Sequence, residues 1–284
     1  MTINIRGQLY NIDKPKIMGI LNITPDSFYD GGEYEDEKKQ LHRVEHMLRE
    51  GANFIDIGAQ STRPGAIEIG WKEELKLLSP AISSIRKHFP EAIISIDTWY
   101  SKVAKTAYNM GADMINDISG GTFDENMFNT INDIQIPYII MHTGGKPNNM
   151  QENPQYDNIL KEVIFFMSKQ IAKLNHIGVN DIIIDPGFGF GKTLEHNYEL
   201  LKNLNHFSFL DAPLLVGISR KSMIFRALKI SPKESLNGTT ALHFKALEGG
   251  ANILRVHDVK EAKECIDLYL QLNVGYKNKQ SHSR

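Results

Sequence analysis

Short apolar runs rich in β-branched residues recur along the chain: KIMGIL at 16–21, FIDIG at 54–58, IISID at 93–97, MIND at 114–117, YIIMH at 138–142, IIID at 182–185, LLVGIS at 214–219 and ILRVH at 253–257. They are nearly continuous rather than alternating, which predicts strands buried on both faces, as in a parallel sheet. Between them lie segments with helical spacing and charged faces, among them 36–51, 71–89, 156–178 and 259–273, with Gly51 and Gly178 placed where a helix C-cap falls. Eight strand–helix units predict an α/β protein of the (β/α)8 barrel type rather than a doubly wound sheet. The leading MTINIRGQLYNI alternates as a hairpin does and is expected to plug the lower end of the barrel. No interdomain linker interrupts the pattern, so a single domain is expected over 1–284, with the polar stretch 274–284 as a frayed tail.

Charge narrows the function classes. With 32 basic and 34 acidic residues the net charge is -2, which argues against a general binder of nucleic acid or anionic membranes. No apolar run approaches the roughly 18 residues of a membrane span, and the first residues lack a signal-peptide core, so a cytoplasmic protein is expected. Cys265 is the only cysteine; it can form no intrachain disulfide and is expected to pack.

The candidate chemistry stands at the strand ends: Asn22, Asp56, Asp97, Asn116 with Asp117, His142, Asp185, Ser219 to Lys221, and Arg255 with His257. A buried charge costs several kcal/mol unless paired, and in a (β/α)8 barrel these positions converge on one mouth. After Asn22 the chain enters TPDSFYDGG, a long Pro- and Gly-containing loop of the kind that carries function. Two nucleotide motifs fail in PGFGFGKT, 186–193: a phosphate loop needs Gly where Pro186 stands, and a dinucleotide turn needs Gly where Lys192 stands. His142, Asp185 and His257 suggest a metallohydrolase, but the first strand offers only Asn22, too little for a catalytic zinc. A hard ion such as Mg²⁺, held by few protein atoms and by a substrate phosphate, stays open.

The stretches MGILNITPDSF, DIGAQSTRPG, SIDT, MINDISGG, MH, IIDPGFGFGKT, LLVGISRKS, NGTTA and ANILRVHDV occur in the order of one family, and the chain resembles the dihydropteroate synthases from Lys16 to about Asp258. The resemblance implies the condensation of 6-hydroxymethyl-7,8-dihydropterin pyrophosphate with p-aminobenzoate to give dihydropteroate and pyrophosphate. It also implies the barrel fold, Mg²⁺, a homodimer and sensitivity to sulfonamides.

By the same resemblance Asp97, Asn116, Asp185 and Lys221 take the pterin edge, with Asp185 accepting paired N–H bonds from its amino-pyrimidine side. Asn22, Arg255 and His257 form the pyrophosphate pocket, with Asn22 also touching Mg²⁺ and Arg255 offering its planar fork. Asp97, Lys221 and Arg255 are the candidate catalytic residues. Phe28, Pro64, Phe190, Lys221 and Ser222 wall the p-aminobenzoate ring, and the loops with Thr24, Pro25, Asp26 and Phe28 and with Thr62, Arg63 and Pro64 fold over both substrates. Early loss of pyrophosphate to leave a pterin-methyl cation explains such covering loops, since water would destroy the cation.

Ala59 and Gln60 stand where the family commonly has Gly and Glu, Phe225 occupies a usually small position, and MHTGGKPNNMQ lacks the residues usual after the His. Two alternative readings are a related methyltetrahydrofolate methyltransferase domain and a catalytically silent pterin-binding protein.

Overall fold

The computed structural model describes residues 1–23, 33–60, 68–147, 150–152 and 154–280. The opening segment folds as an antiparallel hairpin of β1 (Thr2–Ile5) and β2 (Gln8–Asn11). Eight parallel strands follow: β3 (Lys16–Asn22), β4 (Phe54–Gly58), β5 (Ile93–Asp97), β6 (Met114–Asp117), β7 (Tyr138–Met141), β8 (Ile182–Asp185), β9 (Leu215–Val216) and β10 (Ile253–Val256). Their order is β8-β7-β6-β5-β4-β3-β10-β9, and a parallel bridge between Ile184 and Leu214 joins the two ends into a barrel. Helices α1 (Glu33–Arg49), α2 (Trp71–His88), α3 (Ser101–Asn109), α4 (Met127–Ile134), α5 (Ile159–His176), α6 (Leu194–Lys202), α7 (Ser222–Leu228), α8 (Leu236–Glu248) and α9 (Val259–Gln280) lie in the connections and after β10.

The expected barrel and hairpin are thus both present, and two details differ. Within the stretch 274–284 expected to fray, α9 keeps helical backbone to Gln280, and 281–284 lie outside the described residues. No proline lies in 274–280 to stop it, and extending an existing helix costs far less than starting one. The run LLVGIS forms only a two-residue strand, since Gly217 brings no side chain to the pleat beyond it.

Both strand faces are buried, which is why the runs read as continuous. Outward residues such as Ile55, Ile57, Ile94, Ile96, Ile140 and Ile184 pack in one core with residues of the helices. Inward residues Met18, Phe54, Met114, Ile139, Ile183, Leu215 and Ile253 form a second core with Ile3, Ile5 and Ile12 of the hairpin segment. A fully buried aliphatic or aromatic side chain contributes about 1.5–3 kcal/mol, so this layer firmly closes the lower end. Asp113 adds a polar lock there: its carboxylate accepts from Arg6 Nε (2.6 Å) beside the hairpin, from Arg86 Nη2 (2.7 Å) on α2 and from the Ile94 amide (2.8 Å). Chemistry is left to the opposite end.

Candidate active site

The pleat places the site. Two residues beyond the apolar inward layer, on the same faces of their strands, stand Asp56, Asn116, Asp185 and Arg255, each 2 after Phe54, Met114, Ile183 and Ile253. Parallel register sets Asp56 beside Ser95 and Asp97 beside Asn116. One-residue slips would send every one of these groups outward.

At the centre is Arg255. Its Nε donates to Asp56 Oδ2 at 2.6 Å and its Nη2 to Asp97 Oδ2 at 2.8 Å. Burial opposes the guanidinium charge, but Asp56 and Asp97 outweigh it and hold Arg255 above its ordinary range. The planar fork expected to face pyrophosphate is therefore largely committed to two carboxylates, because unpaired carboxylates this deep would be more costly still. Asp56, fully buried, also accepts from Ser95 Oγ (2.6 Å) and Asn116 Nδ2 (3.0 Å). It orients Arg255 and Asn116 from beneath and leaves the Asn116 carbonyl as that residue's acceptor.

Burial raises the Asp97 carboxyl, with Arg255 pulling it back and Asp56 pushing it further. Burial likewise raises Asp185, against Lys221 and the Gly187 amide. Asp185 Oδ1 accepts from that amide at 2.8 Å, so Oδ2 is the oxygen open for paired recognition. Lys221 follows β9 and donates from Nζ to the Phe188 carbonyl at 2.6 Å, lying 4.6 Å from the centre of the Phe190 ring. Burial lowers its ammonium to about 8, with Asp185 resisting. Phe190 is buried with Trp99, Ile118, Met141 and Met150. Ser222 begins α7, directly after Lys221.

His257 sits at the end of β10, its amide donating to Ser219 Oγ at 3.2 Å. Burial first, and Arg255 second, push its imidazole down to about 4, so at neutral pH it acts as an uncharged hydrogen-bonding group. Asn22 is exposed at the end of β3. Phe28, Thr62, Arg63 and Pro64, with Thr24, Pro25 and Asp26, lie outside the described residues. Gln60 Oε1 accepts from the Ile69 amide at 2.8 Å, a bond that a carboxylate in its place could also accept.

Two strand-end residues do not join the mouth. Asp117 accepts from Tyr138 Oη (2.5 Å) and from the Ser119 and Gly121 amides (2.7 and 3.0 Å), because it follows Asn116 and so takes the opposite face. His142 packs against Tyr156 and Phe166, with Nδ1 3.0 Å from Lys192 Nζ; burial and Lys192 push it down to about 3. Lys192, which the sequence motifs mark only as a departure from a nucleotide turn, is only 4% exposed, and burial lowers its ammonium to about 7. A lysine among closely spaced glycines was its only sequence signal.

Arranged this way, the mouth offers acceptors on Asp97, Asn116 and Asp185, a donor on Lys221, and an aromatic wall at Phe190. Such a set suits a flat heterocycle with a mixed donor and acceptor edge. Among the described residues no three His, Cys, Asp or Glu side chains cluster to hold a metal ion, and no helix is long and apolar enough to cross a membrane.

Comparison with known proteins agrees with this geometry. The pattern of the family described as "Pterin binding enzyme" matches residues 18–257. A dihydropteroate synthase of Escherichia coli is 41% identical over 268 residues, covering 94% of each chain. One from Synechocystis is 46% identical over 247 residues, covering 86% of this chain and 85% of its own. The structure of Yersinia pestis dihydropteroate synthase with a sulfonamide drug superposes with a TM-score of 0.90 at 38% identity, covering 96% of this chain and 100% of that one. The Thermus thermophilus enzyme in complex with 4-aminobenzoate gives 0.85 at 33% identity, again with 96% and 100% coverage.

Proposed function

The chain belongs to the pterin-binding enzyme family and is a transferase with the dihydropteroate synthase function; on that premise we propose how its own residues carry the reaction. The observation that carries the proposal is the ring of Asp97, Asn116, Asp185 and Arg255, brought to one mouth by the period of their strands, with Lys221 from the turn after β9.

The pterin edge is taken by Asp185 Oδ2, the Asn116 carbonyl and Asp97, while Lys221 donates toward the ring carbonyl. Charge-assisted bonds in a dry pocket give this edge most of its affinity and fix its orientation. Pyrophosphate lies toward Arg255, His257 and Asn22. Since Asp56 and Asp97 already neutralise Arg255, the guanidinium meets the anion chiefly through Nη1, with His257 as a neutral partner. Asn22, exposed at the end of β3, would hold Mg²⁺ through its side-chain oxygen, a hard donor of the kind that ion takes. When bound it neutralises charge on the departing pyrophosphate.

Phe190, Lys221 and Ser222 receive p-aminobenzoate, whose amine captures the pterin-methyl cation left once the C–O bond to pyrophosphate has broken, and then loses a proton. The complex with 4-aminobenzoate of the Thermus thermophilus relative supports this substrate. The Yersinia pestis sulfonamide complex supports sulfonamide inhibition here. A cytoplasmic homodimer is part of the same reading, on the family resemblance.

The test is pyrophosphate release from purified protein with the pterin pyrophosphate and Mg²⁺, with and without p-aminobenzoate. Release coupled to dihydropteroate formation is expected. Tight pterin binding without coupled product would favour a silent binding protein or the methyltransferase relative.

A further inference from the structure

The PGFGFGK stretch, which matches no nucleotide motif, builds a turn of unusual construction. Gly187, Gly189 and Gly191 have φ of +74°, +82° and +62°, a region that side chains other than glycine rarely enter. A Cβ at Gly187 would lie 1.9 Å from the His142 carbonyl oxygen, and one at Gly191 would lie 2.6 Å from Gly144 Cα. The connections after β7 and β8 therefore meet backbone on backbone. Such contact crowds peptide carbonyls together with no strand ladder to satisfy them.

Side chains satisfy them instead. The carbonyls of Gly187 and Phe190 accept from Lys192 Nζ at 2.9 and 3.0 Å, and that of Phe188 from Lys221 Nζ at 2.6 Å. Gly189 O accepts from Gln151 Nε2 at 2.6 Å and Gly191 O from Tyr156 Oη at 2.8 Å. Lys192 Nζ also reaches the His142 carbonyl at 3.1 Å, so its ammonium hydrogens bind both connections at once. Buried behind the turn, Lys192 bolts it to the end of β7, and the turn in turn presents the Phe188 carbonyl and the Phe190 ring to Lys221.

We propose that Lys192 is a positioning residue for the p-aminobenzoate half of the reaction, holding the 187–191 turn so that Phe190 and Lys221 form the aromatic-amine site. The pterin acceptors are affected less, because Asp97, Asn116 and Asp185 stand on β5, β6 and β8 themselves and the turn reaches that edge only through the Gly187 amide on Asp185 and through Lys221, which both substrates share. The assignment rests on the synthase reading, and its test separates the two.

Lys192→Met keeps an unbranched side chain and removes the donors. Expected are a KM for p-aminobenzoate raised at least tenfold, a Kd for the pterin pyrophosphate within about threefold of the parent, and faster amide hydrogen exchange across 187–191. Equal loss toward both substrates, or no change toward either, overturns the assignment. Tyr156→Phe removes the bond to Gly191 from the opposite side and should show the same split, two- to fivefold; it decides alone if K192M does not fold. The parent protein is assayed alongside. A parent that forms no dihydropteroate sinks the synthase reading, and unchanged exchange across 187–191 in K192M then overturns the bolt itself.

Discussion

Arg255 Nη2 and Asp97 Oδ2 are joined at 2.8 Å across the barrel mouth, while Arg255 Nε is held by the buried Asp56 at 2.6 Å. One cation thus serves two carboxylates before any substrate arrives, and its removal should be felt twice. Arg255→Ala should lower folding stability by about 3–5 kcal/mol, since it strands two buried acids. It should also raise the apparent KM for the pterin pyrophosphate and slow turnover. Denaturant titration checks the first, and Arg255→Ala/Asp56→Asn should regain part of the loss; steady-state kinetics check the second, and unchanged kinetics would remove Arg255 from the anion pocket.

Asp185 has one oxygen spent on the Gly187 amide and one available to the pocket. Asp185→Asn replaces that second acceptor's charge. A hydrogen bond to a charged group contributes roughly 1.5–3 kcal/mol, so pterin affinity should fall about tenfold to a hundredfold. Calorimetric titration of pterin and of p-aminobenzoate into the variant reads the difference; parallel losses would point to a folding defect.

Removing divalent ions with a chelator should suppress turnover, and added Mg²⁺ should restore it. Binding of the pterin ring without its pyrophosphate should be insensitive to the treatment, because Asp97, Asn116 and Asp185 need no metal to face that ring. Full activity after chelation would contradict the leaving-group role.

Glu74 on α2 is wholly buried, and among the described residues no cation pairs with its carboxyl group. Burial pushes it up to about 8, with the nearby Thr98 holding it back in part. The folded protein therefore keeps a proton that the unfolded chain releases above its ordinary range near 4.5, and stability falls as pH rises from about 4.5 to 8. In Glu74→Gln that loss should vanish, so the variant's stability relative to the parent should rise by at most about 1.4 kcal/mol per pH unit across the window. Melting curves at pH 5, 6.5 and 8 check the slope; a constant offset would show that Glu74 titrates normally.

The sequence by itself determined the barrel. Strands covered on both faces need apolar residues at nearly every position, so all eight were visible as unbroken runs, and Gly51 and Gly178 take positive φ beyond α1 and α5 as their spacing implied. Polar residues at the strand ends also marked the mouth. Which of them face it was decided only by tertiary structure. Asn116 and Asp117 are adjacent and chemically alike, yet the pleat sends one to Asp56 in the barrel and the other to Tyr138 outside it. The sharing of Arg255 between Asp56 and Asp97 joins residues 199 and 158 positions apart, which no local pattern encodes. In the sequence Lys192 reads as a misplaced nucleotide lysine, because its three partners, His142, Gly187 and Phe190, come from two connections that meet only once β7 and β8 are side by side. Local periodicity follows from which faces are buried; pairing follows from register and closure, and those exist only in the folded chain.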